Sequence, residues 1–191
     1  MSVDFSLVLP CYNEEKNIKI LCDEFINFPQ EKDNKIELIF VNNGSTDRTE
    51  EEIDKVIEIN KSNKNVIINK VSLVTNQEYG GGIVAGLNVA KGNYLGWAHA
   101  DLQTPLLDFY KLFKIIEGKS KIFGKGYRVN NRGFDGIVSR LHETLASVIL
   151  GVNLKEINAQ PKIFSKDLMR YFNNFPKKWT VLDTYVFYVC L

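Results

Sequence analysis

The chain alternates short β-branched runs with longer amphipathic stretches in which apolar residues recur every three or four positions. That is the pattern of a parallel sheet covered by helices. Leu7 to Leu9 begins a first strand, and Pro-Cys-Tyr-Asn-Glu-Glu leads from it into a helix through Ile18, Leu21, Cys22 and Phe25. Ile36 to Val41 predicts a second strand. It runs into Asn42-Asn43-Gly44-Ser45-Thr46-Asp47, where Ser45 or Asp47 can cap a helix with Ile53, Val56 and Ile57 on its inner face. A third strand falls within Val66 to Val74. Gly80-Gly81-Gly82 then opens a small-residue helix ending near Gly92, and Tyr94 to Ala98 forms a fourth strand. Thr104-Pro105 starts a helix containing Leu106, Phe109, Leu112, Phe113 and Ile116, and Lys121 to Gly124 is a candidate fifth strand. From Phe134 to Val152 eight apolar residues, among them Leu141, Leu145 and Ile149, keep helical spacing.

This pattern fits one domain over residues 1–191, since the 191 residues, 45% of them hydrophobic, support one buried core and are too few for two ordinary domains. Charge narrows the partners. With 24 basic and 23 acidic side chains the formal net charge is +1, and no block of like charges advertises a nucleic-acid surface. Cys11, Cys22 and Cys190 form an odd set with no CxxC pair, which argues against a disulfide framework or structural zinc and for a reducing, cytoplasmic compartment. No signal peptide is expected from the N-terminus, and no stretch approaches the roughly 18–20 apolar residues that span a bilayer. A peripheral place at the inner face of a membrane stays open. The chain stops within the apolar segment Thr184 to Leu191, which points to a truncated form of a longer protein.

Three places carry candidate chemistry. In Trp97-Ala98-His99-Ala100-Asp101-Leu102-Gln103 a carboxylate follows an apolar strand, at the sheet edge where doubly wound folds bind ligands. Asp101 there can hold a divalent cation against a diphosphate, with His99 and Gln103 alternating onto the same side. The competing reading makes Asp101 a helix cap and His99 a satisfied core group. Asn42 to Asp47 again joins a strand to a helix; its amides can read a nucleobase edge, or it is an ordinary Asn-Gly turn. Gly80-Gly81-Gly82, preceded by Asn76 and Tyr79, lets backbone approach a ligand or simply starts a helix, and no P-loop Gly-Lys-Ser/Thr follows. Cys11 reads as a small hydrophobe beside the site, Trp97 as core, and His142 as a packed or solvent-facing group.

LVLPCYNEE, IFVNNGSTDRT, YGGGIVAGLNVAKGNYLGWAHADLQ and VSRLHETLASVILGVNLKEINAQPKIFSKDLM occur in this order along the chain. Together they resemble glycosyltransferase family 2, and the last block is most similar to its dolichol-phosphate mannose synthase and bactoprenol glucosyltransferase branch. The resemblance implies an α/β fold of the GT-A type, a Rossmann-like and mostly parallel sheet flanked by helices. It implies that Pro10, Tyr12 and Glu14 hold the base and ribose of a nucleotide sugar, and that Val41 and Asn43 form the base-reading turn. His99, Ala100 and Asp101 fall at the DxD metal motif and Gln103 at a further metal contact, for Mn²⁺ or Mg²⁺. Arg140 falls near the phosphates, and Lys125 or Arg128 stands in for an upstream arginine.

Three departures accompany the likeness. Asn42-Asn43 replaces the usual DD, His99 replaces the first Asp of DxD, and Gln160 stands where the bactoprenol branch has an aspartate. An amide at position 43 both donates and accepts, so it shifts the expected base preference toward cytosine. The implied activity is inverting transfer of a sugar from a nucleoside-diphosphate sugar to a polyprenyl-phosphate-like acceptor in cell-envelope synthesis, with Asp101 and Arg140 catalytic. Transfer to a saccharide hydroxyl is the alternative within the enzyme class; it needs a general base, for which Asp183 is best placed and Glu156 less so. A non-catalytic nucleotide-sugar-binding domain is the alternative of another class.

Overall fold

The computed structural model describes residues 2–29, 34–127 and 159–174. Within them the chain runs β1 (Phe5–Cys11), α1 (Ile18–Ile26), β2 (Ile36–Asn43), α2 (Thr49–Asn60), β3 (Val66–Leu73), α3 (Glu78–Val89), β4 (Tyr94–Trp97), α4 (Leu106–Ile116), β5 (Phe123–Lys125) and β6 (Lys162–Ser165). A 3-10 helical segment, Lys166–Asn174, follows the last strand. The strands form one sheet in the order β3-β2-β1-β4-β6-β5. Four are parallel, and β6 runs antiparallel between β4 and β5. The expected α/β class is therefore correct.

Why β1 and β2 read as unbroken apolar runs is now plain: helices cover both faces of the sheet. Leu7, Leu9, Leu38 and Phe40 face α1, α2 and α4, while Val8, Ile39 and Val41 face α3. Phe5 centres the first layer, its ring 6.1 Å from Phe25, 5.4 Å from Phe109 and 4.7 Å from Phe113. On the other face Trp97 is fully buried against Phe123 and Phe164, which makes it core as expected.

Two polar residues sit inside these strands and are satisfied together. Ser6 Oγ donates to Glu37 Oε2 at 2.5 Å, and the Glu37 carboxylate also accepts from Asn69 Nδ2 and the Lys91 amide, each at 2.8 Å. The Gly92 amide donates to Ser6 Oγ at 2.8 Å. This network pins the α3–β4 connection to the sheet, since each buried polar group would otherwise be left without a partner.

Several boundaries differ from the sequence reading. β1 and β2 extend to Cys11 and Asn43, because the ladder between them runs to Cys11 and Asn42 and the pairing of β2 with β3 continues to Asn43 and Leu73. The fifth strand is shifted to Phe123–Lys125, and β6 has no counterpart in the sequence reading. α3 begins at Glu78, two residues before the glycine triplet that was expected to open it, and ends at Val89 rather than near Gly92. The long apolar stretch from Phe134 to Val152 lies outside the described residues. Among the described residues no helix is long and apolar enough to cross a membrane.

The small residues of α3 have a packing reason. A Cβ on Gly86 would collide with Val8 and lie 2.9 Å from Val41 Cγ2, so only glycine lets the helix sit this close to β1 and β2. Gly86→Ala is expected to lower stability by about 2 kcal/mol through overpacking, read as a reduced urea midpoint with an unchanged m-value.

Candidate functional site

Moving from β1 to β2 to β3 the chain steps outward along the sheet, then returns to the other side of β1 as β4. The carboxyl ends of β1 and β4 are thus neighbours at the point where strand order reverses, and a crevice opens there. A cleft of about 340 Å³ occupies this place, lined by Pro10, Cys11, Tyr12, Glu14, Asn43, Asn76, Glu78, Tyr79, His99, Ala100 and Asp101.

The loops around it are held by side chains, because backbone beyond a strand end has lost its ladder partners. After β1, the Asn13 amide donates to Ser45 Oγ at 3.1 Å and Asn13 Oδ1 accepts from the Thr46 amide at 2.8 Å. The Glu14 amide donates to Thr49 Oγ1 at 2.8 Å and the Glu15 amide to Asp47 Oδ2 at 3.2 Å. Ser45 and Asp47 therefore lace two loops together; Arg48 takes the N-cap position of α2, while Asp47 Oδ1 accepts from the amide of Thr49, the first helical residue, at 2.9 Å. Partial desolvation pushes the Asp47 carboxyl up, but hydrogen bonds from the Thr49 hydroxyl and amide and from the Glu15 amide outweigh it and hold it below the ordinary aspartate range.

Glu14 faces the opposite balance. Burial raises its carboxyl above the usual range, the Asn17 amide opposes this, and the charges of Asp101 and Asp47 add to the rise. Asn17 Nδ2 donates both to Glu14 Oε2, at 2.5 Å, and to the Ala100 carbonyl, at 3.2 Å. It ties the loop after β1 to the loop that carries Asp101. Sequence reading missed Asn17, since an asparagine before a helix signals only a cap; here it makes no cap hydrogen bond.

On the far wall the Tyr79 ring stacks on His99 with centroids 4.7 Å apart and planes 9° from parallel, which sets the imidazole plane. Gln160 Nε2 donates to the Tyr79 hydroxyl at 3.1 Å. Tyr79 and Glu78 are first-turn residues of α3. Their approach to the cleft was not legible in sequence, where the adjacent glycines drew the attention.

The structure brings Pro10, Tyr12, Glu14, Asn43, His99, Ala100 and Asp101 to one cleft. It does not bring Val41, Gln103 or Lys125 there. Val41 is wholly buried in the α3-facing core. Gln103 meets Asp101 through its backbone, whose N–H donates to Asp101 Oδ1 at 3.0 Å. The extended alternation that would align residues 99, 101 and 103 ends with β4 at Trp97, and Leu102 turns the chain with φ 60°. Lys125 stands on β5, in register with Lys162. Arg128, Arg140, Glu156 and Asp183 lie outside the described residues.

The donor set fits a divalent cation of the phosphate-bridging kind. Among the described residues no three His, Cys, Asp or Glu side chains form a ready cage. One or two carboxylates suffice where phosphate oxygens and water complete the shell, and Asp101 and His99 share the cleft with the charge-crowded Glu14. Cys11 belongs to the wall, not the chemistry. Its thiol is fully buried and donates to the Leu9 carbonyl at 3.3 Å.

Comparison with known proteins places this geometry. The glycosyl transferase family 2 profile matches residues 6–176. The dolichol-phosphate mannosyltransferase of Saccharomyces cerevisiae is 35% identical over 130 residues, covering 66% of this chain and 46% of that protein. A dolichyl-phosphate beta-glucosyltransferase of Trichomonas vaginalis is 28% identical over 193 residues, covering 91% of this chain and 58% of that protein. The chain spans about half the length of the curated relatives it matches. In fold it resembles the mannosyltransferase of Pyrobaculum calidifontis in complex with GDP-mannose and Mn²⁺, with a TM-score of 0.70 at 16% identity over 97% of this chain and 51% of that one.

Burial also makes a chemical expectation for the cysteines. It pushes the Cys11 thiol far above its ordinary value, with Glu14 and Asp47 adding to the rise, and pushes Cys22 up to about 11. Both stay protonated at pH 8, so alkylation by iodoacetamide in the folded protein should run roughly 10²-fold slower than in urea. Peptide mapping by mass spectrometry reads the two sites separately.

Proposed function

Because the chain belongs to glycosyl transferase family 2, we propose that it is the donor-binding part of an inverting glycosyltransferase, moving a sugar from a nucleoside-diphosphate sugar to a polyprenyl-phosphate-like acceptor. The observation that carries this reading is the cleft at the strand-order reversal, where Tyr12, Glu14, Asn43, His99 and Asp101 meet from three different strand ends. The two relatives, both dolichol-phosphate sugar transferases, support the acceptor class.

In this reading the nucleoside lies against Pro10, Tyr12 and Asn43, and the diphosphate lies toward Asp101 and the first turn of α3, whose N–H groups favour negative charge. Asp101 and His99 would hold a divalent cation, which when bound neutralises charge on the leaving diphosphate. The acceptor oxygen forms its bond to the anomeric carbon on the face opposite the diphosphate, and the diphosphate departs with the electrons of the broken C–O bond. A phosphate acceptor is already an anionic nucleophile, so no side chain has to take its proton. Lys125, Arg128 and Arg140 are our candidates for pairing with that phosphate. Such an acceptor places the reaction at a membrane surface.

Asn17 and the Tyr79 stack have a part here too. One holds the Ala100 carbonyl and the other holds the His99 ring, so both groups flanking Asp101 are oriented before a ligand arrives.

Asp101→Asn is expected to weaken nucleoside-diphosphate binding and to lower transfer to a short-chain polyprenyl phosphate by roughly 10²–10³-fold. Because imidazole suits Mn²⁺ better than Mg²⁺, Mn²⁺ should support more activity, and His99→Ala should narrow that preference. Calorimetry and radiolabel transfer with and without chelator check both. Full transfer in excess chelator removes the cation from the mechanism; nucleotide binding without any turnover favours a pure binding domain.

A further inference from the structure

Asn43 ends β2 at the cleft and is only 3% exposed. Its amide is engaged within the protein. Asn43 Nδ2 donates to the Glu78 carbonyl at 2.9 Å and to Asn76 Oδ1 at 3.2 Å, and Asn43 Oδ1 accepts from the Gln77 amide at 2.9 Å. Two of these partners are backbone groups, so the orientation of the amide is unambiguous: only its nitrogen can donate to a carbonyl, and only its oxygen can accept from an N–H.

The segment it grips is one that needs gripping. Glu78, the first residue of α3, has φ 59°, a left-handed conformation unusual for a non-glycine residue. Asn76 Oδ1 accepts from the Glu78 amide at 2.7 Å, so Asn43 and Asn76 together surround the start of the helix. Gly82 leaves the space this requires, since a Cβ there would lie 3.2 Å from Asn43 Nδ2. Three wall residues of the cleft, Asn76, Glu78 and Tyr79, ride on the gripped segment.

We infer that Asn43 is a positioning residue: it clasps residues 76–79 to the end of β2 and thereby sets the far wall of the cleft, while base choice is made by other groups. Both amide hydrogens are already donated, which overturns the expectation that this amide donates to cytosine. An aspartate at 43 would lose both donors and set a negative oxygen against the Glu78 carbonyl, so the clasp, its Gln77 bond included, would loosen. The clasp therefore explains why an amide stands at this position. The inference rests on the nucleotide-binding reading above.

The test measures UDP, GDP and CDP affinities by calorimetry with Mn²⁺ for wild type and Asn43→Asp, with hydrogen exchange of both proteins. Asn43→Asp is expected to weaken all three nucleotides by roughly tenfold with their ranking unchanged, the loss of about two hydrogen bonds' worth of wall positioning. Exchange should rise at the Gln77 and Glu78 amides and stay unchanged in β1 and β4. A changed ranking means that Asn43 reads the base and overturns the inference, as does unaltered affinity. If Asn43→Asp does not fold, Asn43→Ala, which removes the clasp without a charge, is held to the same outcomes. If wild type binds no nucleoside diphosphate, the nucleotide reading fails, and the exchange comparison alone judges the clasp: unaltered exchange at Gln77 and Glu78 overturns it.

Discussion

A parallel strand that ends at the edge of a sheet leaves backbone N–H and C=O groups without ladder partners, and all four parallel strands here end at one edge. Those groups must be satisfied in some other way or the edge cannot hold a shape. Short polar side chains do it. Asn13, Ser45, Asp47 and Thr49 lace the loops after β1 and β2, and Asn17 reaches from the first loop to the carbonyl of Ala100. Asn43 and Asn76 do the same for the start of α3. These bonds hold the loops that shape the cleft.

The electrostatics of the cleft follow from that scaffold. The lacing bonds hold Asp47 charged at modest depth, while Glu14 carries burial and the nearby charge of Asp101 with only the Asn17 amide in compensation. Carboxylates crowded in this way favour a counter-charge, and a cation bridging to a diphosphate supplies one. On the opposite wall the parallel stack of Tyr79 on His99 holds a flat aromatic surface. An acidic floor and an aromatic wall make the cleft suited to a ligand with both a charged and a planar part.

Much of the fold was readable before any coordinates. β1 to β4 and their helices follow from runs of Val, Ile, Leu and Phe separated by helical spacing, since a doubly covered sheet demands apolar residues on both sides of each strand. β6 escaped because its antiparallel place between β4 and β5 arises from contacts distant in sequence. Lys162, wholly buried within that strand, is the kind of residue that sequence assigns to the surface.

For the site, the sequence by itself determined the residue types and their order: Tyr12 and Glu14 after one strand, Asn43 at the end of the next, His99 and Asp101 after a later one. Short-range chemistry is enough for that, because a polar cluster past an apolar run marks a strand's carboxyl end. Tertiary structure decided which of these side chains face one another. It took Val41 into the core, and a left-handed Leu102 met Asp101 with the Gln103 backbone. It added Asn17 and Glu78, stacked Tyr79 on His99, and turned Asn43 inward onto the Glu78 carbonyl and the Gln77 amide. The physical reason is that a hydrogen bond is decided by distance and direction in space, and residues thirty or eighty positions apart carry no local trace of either.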